Sequence, residues 1–85
     1  MRLGKFKMNR NFATSRRVVR VLRVLEFIPT RVELLFEQDC FEYIGISPCF
    51  DYVQDGCMAN EYSIIIDGHE ADFSVSVINL TENKQ

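Results

Sequence analysis

The residues best suited to bond-breaking or metal chemistry in this 85-residue chain are one histidine, His69, and three cysteines, Cys40, Cys49 and Cys57. A nucleophilic thiol needs a base within hydrogen-bond reach, and a structural zinc site normally shows paired thiols at close spacing. None of these cysteines has C-x-x-C spacing, and no nucleophile signature surrounds them. His69 follows Gly68 in a stretch that reads as a turn. An exposed histidine without a role is a simpler reading there than a general base. Glu70 follows His69 without the second histidine of a zinc-protease helix. Asp51 with Asp55 and Gly56 makes a poor calcium loop, because Val53 and Tyr62 fall where ligands belong. A zinc site of three thiols and His69, or a small enzyme centred on His69, therefore ranks below a chain that uses no cofactor and no metal. Free thiols in a reducing cytoplasm are the expectation.

Charge is the stronger signal. Residues 1–31 hold nine of the ten Lys and Arg residues and one acid, Glu26, for a charge of +8. Residues 32–85 hold eleven of the twelve Asp and Glu residues and one base, Lys84, for −10. The net charge of −2 hides this division. Such polarity bears on partners and assembly more than on fold. Mixed signs are the usual arrangement on a surface that meets no polarised partner.

The elements that position these charges follow from periodicity. Residues 1–13 read as a basic arm or a short strand around Lys5, Phe6 and Lys7. Thr14 or Ser15 offers an N-cap for a helix over 14–28, which stops at Pro29. At 100° per residue that helix gathers Val18, Val21, Leu22 and Leu25 on one face, with Arg17, Arg20 and Arg23 on a slanting polar stripe. Val19 and Val24 widen the apolar arc beyond what one contact needs, which suggests a second cover such as another subunit. Met1 to Phe27 is Arg-rich and nearly acid-free, as mitochondrial presequences are, but reads better as an ordinary basic helix of the domain.

An antiparallel sheet is expected over 31–78, with a polar tail over 79–85. Val32, Leu34 and Phe36 alternate with Glu33 and Glu37, a strand runs from Cys40 to Ile46, and Phe50 to Val53 can resume it after Pro48. A capping-box spacing from Thr30 to Glu33 offers a competing helix over 31–38. Tyr62, Ile64 and Ile66 alternate with polar residues, as do Phe73, Val75 and Val77, and 67–71 joins these two as a hairpin. The predicted fold is thus one small α+β domain over 1–85, with an N-terminal amphipathic helix packed on a four- or five-stranded antiparallel sheet. The longest apolar runs fall far short of the ~18 residues of a membrane span, so no membrane is expected.

In that register Glu33, Glu37, Glu61 and Asp72, joined by Glu42 and Asp51, form an acidic sheet face, opposite a basic helix face of Arg16, Arg17, Arg20 and Arg23. The leading expectation is a non-enzymatic protein-binding module, an inhibitor or regulator working through the acidic face and forming a homodimer. Spaced carboxylates on a rigid sheet can imitate a phosphate backbone, in the character of small inhibitors made by phages and mobile elements. The alternative is a nucleic-acid-binding regulator that neutralises phosphates with the arginine helix, against which stand the acidic remainder and a pI near 5.3.

Overall fold

Period two opens the chain: Gly4, Phe6 and Met8 are buried and alternate with the more accessible Lys5, Lys7 and Asn9. That is the signature of a half-buried strand, β1, Leu3–Asn9. A computed structural model of the chain describes residues 1–54, 56–68 and 73–81. Two short helices follow, α1 (Arg10–Ala13) and α2 (Arg17–Val24), then four strands: β2 (Ile28–Leu35), β3 (Cys40–Ile46), β4 (Asn60–Asp67) and β5 (Ser74–Asn79).

The five strands form one sheet in the order β2-β3-β1-β4-β5. β1 lies at its centre, antiparallel to β3 from Leu3↔Ile46 to Asn9↔Cys40, and parallel to β4 at Gly4↔Asn60, Lys5↔Glu61 and Phe6↔Tyr62. β2 and β5 are antiparallel to β3 and β4 respectively. Since β2 and β1 are both antiparallel to β3, they run parallel to each other. The helices form the crossover of a split β-α-β unit, with β3 inserted between its strands.

The expected antiparallel sheet under a long N-terminal helix is therefore corrected. The sheet is mixed, its central strand precedes the helices, and the helix expected over 14–28 is confined to Arg17–Val24. Thr14 ends α1, its hydroxyl donating to the Arg10 carbonyl at 2.9 Å, while the Ser15 hydroxyl accepts from the Arg17 N–H at 3.3 Å. At the other end Glu26 enters the left-handed region at φ 49°. Its N–H donates to the Arg23 carbonyl at 3.1 Å and that of Phe27 to the Leu22 carbonyl at 3.0 Å. This crossed pair is a Schellman motif, and it closes the helix before Pro29 can. Pro29 lies inside β2, beside a bulge at Thr30 whose hydroxyl bonds the Ile44 carbonyl at 3.0 Å. The competing helix over 31–38 reduces to a 3-10 turn, Phe36–Gln38, and the resumed strand at 50–53 is a loop. Of the hairpin over 67–71, residues 69–71 lie outside the described residues.

One face of the sheet holds the core. Val18, Val21 and Leu25 of the helical segment meet Phe6, Phe27, Tyr43, Phe50, Tyr62 and Phe73. Phe6 stacks on Tyr43 with ring centroids 5.1 Å apart and meets Phe27 edge-on at the same distance. The buried Ser47 hydroxyl donates to the Leu25 carbonyl, one of the orphan acceptors at the helix end.

Candidate functional site

The face of the sheet turned away from this core is built by the alternate residues of each strand, since directly paired residues share a face. One row across β2, β3 and β1 is wholly aliphatic: Ile28, Ile46, Leu3. The next runs Arg31, Ile44, Lys5 and Glu61, and the third Glu33, Glu42 and Lys7. On β4 and β5, Ile65 and Ile78 also point outward, 42% and 43% exposed, and Ile28 is 63% exposed. Both helices contribute instead to the core on the other side. The outer face thus combines aliphatic side chains with charges of both signs.

Its centre is concave. A cavity of about 160 Å³ is lined by Lys5, Lys7, Glu42, Glu61, Ser63 and Leu80, together with Phe6 and Tyr62. Lys5 pairs in register with Glu61, and Lys7 with Glu42. Lys7 Nζ donates to Gln38 Oε1 at 2.9 Å, and Arg31 meets Glu33 at 3.0 Å. The period-two pattern of β1 carries this arrangement, because a strand that buries Phe6 and Met8 must turn Lys5 and Lys7 outward.

Of the carboxylates expected on one acidic face, Glu33, Glu42 and Glu61 share this surface, with Lys5, Lys7 and Arg31 placed among them. Glu37 lies on the 3-10 turn, because β2 ends at Leu35. Asp51 lies on a loop, where its carboxylate accepts from Asn79 Nδ2 at 2.7 Å and its N–H donates to the Tyr62 hydroxyl at 2.8 Å. Asp72, like His69, lies outside the described residues.

The arginines divide as well. Arg16 and Arg23 are exposed. The guanidiniums of Arg17 and Arg20 sit 5.1 and 5.0 Å from the Phe73 ring centre, and that of Arg17 is 5.3 Å from Phe12. Such contacts hold the cation by attraction to the ring face and anchor α2 to Phe73, the residue before β5.

Cys40 is buried and Cys49 and Cys57 are exposed, all as free thiols. Among the described residues no three His, Cys, Asp or Glu side chains converge on a metal position, and no helix is long and apolar enough to cross a membrane. In the core, burial raises the Tyr43 phenol above its ordinary 10.0. The outer-face signal that sequence reasoning missed is the contribution of Lys5 and Lys7 together with Ile44, Ile46 and Ile65. No family model, no curated protein and no solved structure matches this chain.

Proposed function

We propose that the chain is a non-enzymatic protein-binding module, a small inhibitor or regulator, and that its working surface is the outer face of the sheet. The observation that supports this reading is the aliphatic row Ile28, Ile46 and Leu3, with Ile28 exposed and the other two half-buried, beside the charged rows of Lys5, Lys7, Glu42 and Glu61. An apolar surface rimmed by charge is the usual character of a protein-docking site on a small monomer. The partner it fits is a protein surface with an apolar strip and charges in complementary order. Alternating signs suit a protein better than a uniformly negative phosphate backbone.

The nucleic-acid reading is set second, because Arg17 and Arg20 already stack on Phe73. Self-association belongs to the same proposal, since a domain of this size buries only ~60–65% of its unfolded surface and gains from covering more.

The test is affinity capture from the native host with the unmodified chain and two variants in parallel. A partner retained by the unmodified chain and by Arg16→Gln/Arg23→Gln, but lost with Lys5→Glu/Lys7→Glu, supports the outer face. A partner that ignores the lysine reversal and is lost with the arginine change would move the working surface to α2. Retention of duplex or single-stranded nucleic acid that weakens steeply with salt would promote the second reading.

A further inference from the structure

β2 is terminal in the sheet, so its far backbone edge pairs with no described strand. Natural sheets blunt such edges with proline, bulges or short length. Here Pro29 and the Thr30 bulge blunt only one end, and Arg31–Leu35 continues as regular, largely exposed strand. An open edge of this kind is a template for another strand, and the side chains along it indicate which one.

Arg31 and Glu33 project from the same face of β2, one residue to either side of Val32. An antiparallel two-fold pairing centred on Val32 sets Arg31 of each copy opposite Glu33 of the other, and Val32 opposite Val32. Pairings centred on Arg31 or on Glu33 set like charges face to face, which is destabilising. We infer that the β2 edge is a homodimer interface, in which two copies pair β2 to β2 about Val32 and extend the sheet across both.

The two-fold axis of such a pair stands perpendicular to the sheet. Both outer faces then lie on one side of the dimer, with both sets of helices on the other. The pairing is independent of what the outer face binds, and it would present that face twice. In this pairing Leu34 and Leu35 fall opposite Thr30 and Pro29, so regular strand meets regular strand only over Arg31–Glu33. So short a contact buries less than the ~1,000 Å² of a stable interface, and the dimer is weak and salt-sensitive. β5, the other terminal strand, is shorter at Ser74–Asn79 and has no charged residue to select a register.

The test exploits the sign pattern. Arg31→Glu and Glu33→Arg should each weaken self-association by about tenfold or more in sedimentation, because two cross-strand pairs become like-charged. Mixed one to one, these two variants should associate again as a heterodimer, every cross-strand pair being restored. In a Cys49→Ser/Cys57→Ser background, Val32→Cys should oxidise to a disulfide-linked dimer, since opposed Cα atoms lie about 4.5–5.5 Å apart. A wild-type chain that stays monomeric at ~1 mM would overturn the inference, as would association that neither charge variant changes. The second result would place the contact elsewhere, on β5 or on the exposed Val19 and Val24 of α2.

Discussion

Gly4 and Gly45 face each other across β1 and β3, and neither position has room for a side chain. A Cβ on Gly4 would lie 2.6 Å from the Phe50 ring and 2.7 Å from that of Tyr62. One on Gly45 would meet the Ile28 carbonyl oxygen and the Phe27 ring. The two glycines are the floor on which the aromatic core rests, and that core fixes which face of the sheet is left open. Gly45→Ala should cost ~3 kcal/mol, and Gly4→Ala ~1–3 kcal/mol because rings can shift where a backbone oxygen resists. Urea unfolding measures both, and a loss below ~0.5 kcal/mol at Gly45 would contradict the packing described.

Glu26 occupies a left-handed backbone position that costs an L-residue ~1–2 kcal/mol. Glu26→Gly should relieve part of that and stabilise the fold by ~1 kcal/mol, seen as a higher denaturation midpoint. Destabilisation of similar size would show that the Glu26 side chain contributes something the Schellman geometry does not.

Ser47→Ala removes the donor to the Leu25 carbonyl and the acceptor for the Cys49 N–H. A buried carbonyl and a part-buried N–H each lose a partner, so a loss of ~1–3 kcal/mol is expected. Leu25→Ala should cost ~2–5 kcal/mol because the side chain is 1% exposed. Leu22 is only partly buried and should cost less.

Tyr43 gives the pH dependence. Burial raises its phenol above 10.0, so the unfolded chain loses that proton at a lower pH than the folded one. The folded state then binds more protons, and its stability is complete below pH 10 and declines as pH rises beyond it. Denaturant titrations at increasing alkaline pH should show this decline, reduced in Tyr43→Phe. An identical decline in that variant would assign it to other groups.

What was legible in the sequence was what periodicity alone determines. The strand Cys40–Ile46 and the alternation through Tyr62, Ile64 and Ile66 reappear as β3 and β4. The helical stripe of Val18, Val21 and Leu25 is the buried one. The central place of β1 was not legible, because Lys5 and Lys7 make the segment look like an exposed arm. A parallel neighbour more than fifty positions away, at 60–62, leaves no local mark. The helix end was misplaced because a glutamate, not a glycine, takes the left-handed position at 26. Glu37 left the sheet because β2 stops at Leu35, a boundary that hydrophobic alternation through Phe36 conceals.

The claim that the outer face is the working surface is tested most directly by isoleucine and valine methyl spectra of the chain titrated with its captured partner. Neighbouring isoleucines on β4 report opposite faces: Ile65 points outward, while Ile64 and Ile66 pack against the core. The account predicts large shifts or broadening at Ile28, Ile44, Ile46 and Ile65, with Ile64 and Ile66 little changed. Changes confined to valine methyls of α2 at Val19 and Val24, with Ile44 and Ile65 unmoved, would contradict it.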